Sequence, residues 1–160
     1  MKKGEGGHLE HGFAVSRDPA FLGRSLLVSN ARIEGHGIVV TLSARGVGHR
    51  FPTGDIYRRL TVTLTAYDDH GALVAGDTFN LGRDWDAHRA SMTSRLPETV
   101  GNDSRLTEAP RDFRIACETA PARVHLTVEY ERGMGAQGVF FEAFERSEIL
   151  DADLTTTRAH

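Results

Sequence analysis

The sequence predicts an all-β protein: an immunoglobulin-like antiparallel β-sandwich of six or seven strands, with a Gly/His-rich N-terminal arm and a short C-terminal helix. Three observations carry this expectation. Apolar and polar residues alternate along several short segments, which is the period of a half-buried strand. Clusters of turn-forming residues separate those segments. A length of 160 residues with a hydrophobic fraction of 39% suits one domain able to bury its own core. A closed barrel is the competing architecture for the same pattern.

Residues 1–17 are rich in Gly and His and lack periodicity, so they read as a flexible arm ahead of a single domain spanning 18–160. Asp18-Pro19-Ala20-Phe21-Leu22 opens a helix, with Asp18 as N-cap and Pro19 at the first helical position, and Gly23 limits it to a turn or two. Residues 26–34 are an apolar-rich strand closed by the reversal Gly35-His36-Gly37. In 38–44, Ile38, Val40, Leu42 and Ala44 share one face. Residues 60–67 alternate most cleanly, with Leu60, Val62, Leu64 and Ala66 against Thr61, Thr63, Thr65 and Tyr67. Asp68-Asp69-His70-Gly71 supplies the backbone angles of a hairpin turn, and 72–81 return as its partner strand. Phe113, Ile115 and Cys117 share one face of the next strand, and Val124, Leu126, Val128 and Tyr130 one face of the last. Between them, 83–110 show no clear period, with room for one more strand near Arg105-Leu106. Phe140, Ala143, Phe144 and Ser147 fall at helical spacing and predict a helix over 139–149.

Composition excludes several functions. Cys117 is the single cysteine, so these 160 residues form no internal disulfide, no thiolate zinc cage and no C-x-x-C-H haem-attachment motif. A net charge of −3 and a pI of about 6.2 argue against a nucleic-acid grip. No apolar run is long enough for a membrane span, and no apolar segment follows Met1-Lys2-Lys3 to make a secretory signal. There is no G-x-S-x-G, no phosphate-cradling Gly loop and no recognisable carboxylate pair, so no catalytic residues are assigned. Cys117 lies in phase with Phe113 and Ile115 and reads as a core thiol. Asp84-Trp85-Asp86-Ala87-His88 offers too few oxygens for calcium and reads as a solvated connection.

The informative segment is Gly46-Val47-Gly48-His49-Arg50-Phe51-Pro52-Thr53-Gly54-Asp55. Pro52 holds Phe51 extended, Pro-Thr-Gly favours a turn, and Gly46 and Gly48 free the backbone to pass close to a large group. The expected result is an imidazole, His49, carried on a stiff loop. Phe51 acting only as a core plug in an ordinary connection is the plainer alternative. Arg50, Arg58 and Arg59, with Arg45 nearby, form a local basic group suited to carboxylates, or else a mixed-charge surface paired with Asp55.

Gly48-His49-Arg50-Phe51-Pro52-Thr53-Gly54 resembles the G-H-x-F-P-T-G signature of a C-terminal β-sandwich domain in multihaem c-type cytochromes. The looser likeness runs over residues 8–132. It takes in His8-Leu9-Glu10-His11-Gly12-Phe13, Tyr57-Arg58-Arg59 and Asp103-Ser104-Arg105-Leu106. The family's Pro-Gly-Glu turn after the Arg-Leu pair is replaced here by Thr107-Glu108-Ala109-Pro110. The resemblance implies a non-catalytic accessory domain of an electron-transfer protein, in which a second histidine completes the coordination of a c-type haem. It makes His49, His11 and His8 the haem-ligand candidates, and Arg50, Arg58 and Arg59 the propionate or partner contacts. No haem is bound covalently by this chain, so haem c would belong to a parent or partner chain, with a haem-bearing domain or redox protein as partner. The chain is then expected to start immediately after a C-x-x-C-H motif, in a periplasmic or extracellular protein; taken as complete, it would be cytoplasmic. The alternative function is a protein-interaction or ligand-binding sandwich with no redox role, contacting through residues 46–59. A third reading, a metal-dependent module using His8, His11 and His49, is disfavoured because a Gly-rich arm preorganises ligands poorly; no native metal site is assigned.

Overall fold

The computed structural model describes residues 18–52, 58–85, 99–134 and 143–158. Among these residues one helix, α1 (Pro19–Arg24), precedes ten strands: β1 (Leu26–Glu34), β2 (Gly37–Ala44), β3 (Arg58–Tyr67), β4 (Leu73–Leu81), β5 (Arg83–Trp85), β6 (Thr99–Asp103), β7 (Arg111–Ala116), β8 (Arg123–Met134), β9 (Ala143–Leu154) and β10 (Thr157–Arg158). They form two four-stranded sheets, ordered β10-β1-β2-β7 and β4-β3-β8-β9, and a separate β5-β6 ribbon. All pairings are antiparallel except the short β1–β10 contact. The all-β sandwich expected from the alternation is the observed architecture.

The core lies between the two sheets. Ile38, Val40, Leu42 and Ala44 of β2 meet Leu60, Val62, Leu64 and Ala66 of β3 and Val124, Leu126 and Val128 of β8. Phe79 of β4 and Phe113 of β7 lock the sheets edge to face, with ring centroids 5.2 Å apart. Cys117 follows β7 and is buried in this core, where desolvation raises its thiol pKa. β1 changes phase within its length. Ser29 is the extra residue of a bulge between Val28 and Asn30, so Leu26 and Val28 precede it, and Ala31 and Ile33 follow it, all toward the core. The outer face of β2 is covered by charge. Val39 lies in register between Arg32 and Arg114 and is 2% exposed. Around it Arg32 pairs with Glu34 (2.6 Å) and Asp112 (3.1 Å), and Arg114 pairs with the same two carboxylates (both 2.9 Å). The long arginine stems supply the apolar cover while their heads stay paired.

The N-terminal helix and the Asp68 turn form as expected. Asp18 accepts hydrogen bonds from the N–H groups of Ala20 and Phe21, with Pro19 in the first turn. Asp68 accepts from His70 and Ala72 across its turn. Gly23 sits where a Cβ would lie 2.6 Å from the carbonyl oxygen of Ile149, so α1 packs directly on β9. Two expectations are corrected. The helix placed over 139–149 is a strand from Ala143 onward: Ala143, Phe144 and Ser147 open β9, which pairs with β8 at eleven positions. An irregularity between Val128 and Glu129 leaves Ile149 as the extra residue on β9, breaking its period of two. The strand expected near Arg105-Leu106 reduces to a single bridge, Leu106 to Phe51, and the segment's regular structure is the β5-β6 ribbon. The arm over 1–17 lies outside the described residues.

Candidate functional site

The loop after β2 is pinned at both ends to the segment that precedes β7. Ala44 N–H donates to the Thr107 carbonyl at 2.7 Å, and Phe51 and Leu106 exchange two backbone hydrogen bonds at 2.8 Å each. The Phe51 ring is 2% exposed and belongs to the core cluster, beside the equally buried Leu106. Phe51 therefore is the core plug, and that plug makes the loop stiff. Between the pins, Gly46 (φ 63°) and Gly48 (φ 62°) adopt left-handed backbone. A Cβ on either would meet no described atom within 4 Å, so the glycines serve the backbone angle, and no described residue fills the space beside them. Val47 tucks partly against the core, while His49 is exposed and has no hydrogen bond to a described residue.

Arg50, next to His49, is braced from below. Its guanidinium donates to the Asp103 carbonyl (3.1 Å) and lies 3.4 Å from that residue's carboxylate. Arg105 grips the same carboxylate at 2.8 and 2.6 Å and also donates to the Pro52 carbonyl at 3.4 Å. The Arg105 hydrogen bonds, opposed by partial burial, hold the Asp103 carboxyl down at about 2. Ser104 ties this segment to the end of β4 by exchanging hydrogen bonds with Gly82.

The other two candidate arginines sit on different faces of β3. Successive strand residues face opposite sides of a sheet, so Arg58 shares the inner phase of Leu60, opposite Arg132, and Arg59 shares the outer phase of Thr61. Arg59 pairs with Glu131, a carboxylate 1% exposed that also binds Thr61 (3.2 Å) and Arg146 (3.0 Å). Arg45 is exposed at the loop entrance. His8, His11, Thr53, Gly54 and Asp55 lie outside the described residues. Asp103, Arg105 and Glu131 were not picked out as site residues. The signal for the first two was their i, i+2 spacing, which puts both side chains on one side of an extended segment. Among the described residues, no group of three His, Cys, Asp or Glu side chains is placed to hold a metal ion. His125 sits between Asp151 (2.9 Å) and Asp153 (3.0 Å) on the outer face of β8 and β9. No helix among the described residues is long and apolar enough to cross a membrane.

Among the described residues, three carboxylates are held below their ordinary range: Asp103 chiefly by Arg105, Glu34 chiefly by Arg32, and Asp112 chiefly by Thr41 and then Arg32. A depressed folded-state pKa adds stability that is complete above the unfolded value and is lost as pH falls toward the folded value. The urea midpoint is therefore expected to hold down to about pH 4.5 and to drop between there and pH 2. Asp103→Asn should flatten the lower part of that drop. An unchanged profile in the variant would show that Asp103 contributes nothing to acid lability.

No family model matches the sequence, and no curated protein matches it. Among solved structures, the chain is similar to a penta-haem cytochrome c552 from Thermochromatium tepidum, with a TM-score of 0.59 at 19% identity. The similarity covers 93% of this chain and 44% of the cytochrome, so the chain spans less than half the length of that protein and shares its fold over that part.

Proposed function

We propose that this chain is a non-catalytic accessory domain of a multihaem, cytochrome-like electron-transfer protein, in which His49 supplies a distal ligand to a c-type haem. The observation that carries the reading is the His49 loop. An exposed imidazole stands on a segment pinned at Ala44 and Phe51, with no described residue against Gly46 or Gly48. The shared fold with a penta-haem cytochrome and the strand orders, which suit an immunoglobulin-like sandwich, support it. The donor set fits the group: a solvent-facing imidazole is a good axial ligand, and a pinned loop loses little entropy on binding. When bound, haem would supply reversible one-electron chemistry. The chain's own part is to hold the imidazole and exclude alternative geometries. The haem would be attached through cysteines outside these 160 residues, on a haem-bearing domain or redox partner, in the periplasm or outside the cell. His11 and His8 are the further ligand candidates.

A ferric haem c peptide that carries one axial histidine tests the ligand. Titrating it with the purified chain should shift the Soret band to a low-spin, two-histidine spectrum, and His49→Ala should abolish the shift. A shift that survives in His49→Ala passes the role to another histidine. No shift with the unaltered chain favours the interaction module without a redox role.

A further inference from the structure

The outer strands of the two sheets are not alike. β4 carries an extra residue at Val74 and β9 one at Ile149, where pairing with the neighbouring strand slips. β1, bonded to β10 over two residues only, carries one at Ser29. Bulges of this kind turn an edge away from strand addition. Further cover is added: Asp77 accepts the Thr78 N–H of β4 at 2.8 Å, and α1 packs on β9 at Gly23. β7 differs. It ends its sheet, and it pairs with β2 at six consecutive positions without a slip.

Just past β7, the Cys117 N–H donates to the His36 carbonyl at 2.7 Å. Hydrogen-bonded pairs alternate along an antiparallel ladder, so Arg111, Phe113 and Ile115 also turn their N–H and C=O groups toward β2. Asp112, Arg114 and Ala116 turn theirs outward. Among the described residues, no backbone partner meets those outward groups. The side chains of Asp112 and Arg114 lie on the sheet's outer face, 33% and 56% exposed. Pro110, which has no N–H, confines any added strand to this short stretch.

We infer that the β7 edge pairs antiparallel with β7 of a second copy of this chain, around a two-fold axis at Phe113. This does not depend on the haem reading. Backbone bonding requires outward-facing residues opposite one another. Three registers centred on the strand satisfy that, placing Asp112 opposite Asp112, Asp112 opposite Arg114, or Arg114 opposite Arg114. Only the second brings opposite charges together, and two-fold symmetry makes it do so twice. Each of those pairs exchanges two backbone hydrogen bonds. A strand without this order of charges would meet Asp112 and Arg114 unmatched, so the edge selects its own copy.

Sedimentation equilibrium of the full chain should show monomer passing to dimer as concentration rises. Asp112→Arg sets like charges opposite each other, as does Arg114→Asp, and each variant alone should associate about tenfold more weakly. An equimolar mixture of the two should recover the association of the unaltered chain, because each variant then faces opposite charge. That recovery also shows that both variants fold. Hydrogen exchange needs no variant: the Asp112 and Arg114 amides should slow as concentration rises, while those of Phe113 and Ile115, bonded to β2, should not change. A chain that stays monomeric at millimolar concentration overturns the pairing and leaves the edge to a strand of another protein. An association that both variants retain, or a mixture as weak as its components, overturns it as well.

Discussion

Phe51→Ala is expected to lower the free energy of unfolding by about 3–5 kcal/mol, as large-to-small changes at a buried aromatic do. The ring is 2% exposed, and its backbone makes both hydrogen bonds to Leu106. Removing it opens a cavity and also loosens the stiff end of the His49 loop. Urea denaturation reads the first effect. Hydrogen exchange at the Phe51 and Leu106 amides reads the second, with faster exchange expected at both. Phe51→Leu, which keeps most of the volume, should cost less than about 1.5 kcal/mol. A loss below 1 kcal/mol for Phe51→Ala would mean that the loop is held without the core.

Glu131→Ala should destabilise by about 2–3 kcal/mol, measured by the same denaturation. The carboxylate is 1% exposed and serves three donors on two strands: Arg59 and Thr61 of β3 and Arg146 of β9. Its removal leaves two guanidinium groups facing each other across β8. Both arginines are partly exposed, so water relieves some of the loss, which keeps the effect below that of a fully buried triad. Arg146→Ala should cost under about 1 kcal/mol, because Glu131 retains Arg59 and Thr61. If the two variants were equally mild, Glu131 would be a surface acid in effect, whatever its burial.

The strands that the sequence made legible are the ones whose faces differ. β3 separates Leu60, Val62, Leu64 and Ala66 from its threonines, and the structure buries the first set completely. β9 lies at a sheet edge and carries Arg146, Glu148, Asp151 and Asp153 outward, so apolar alternation does not mark it. Ala143, Phe144 and Ser147 fall at spacings of three and four, which mimic a helix. Pairing with β8 decides the outcome, and a single segment's periodicity does not contain that information. The site was half legible for a similar reason. His49, Phe51 and the glycines are contiguous, and so they could be read as a motif. The residues that brace them, Asp103 and Arg105, are remote in sequence and enter only through the fold. Of the predicted basic group, strand alternation sends Arg58 and Arg59 to opposite faces of β3.

The remoteness of that brace has a kinetic consequence. Arg105 and the Pro52 carbonyl it binds are 53 residues apart in the chain. Contacts of such high sequence separation form only after the intervening loop has been closed, which slows folding of sheet topologies. During synthesis, His49 leaves the ribosome well before the segment that fixes it, so the nascent chain carries an unbraced histidine until residues 103–107 have emerged. A fragment ending ahead of Asp103 would keep the whole G-H-x-F-P motif and none of its geometry. The motif is thus a necessary mark of the site in a sequence, while the site itself is among the later things this chain makes.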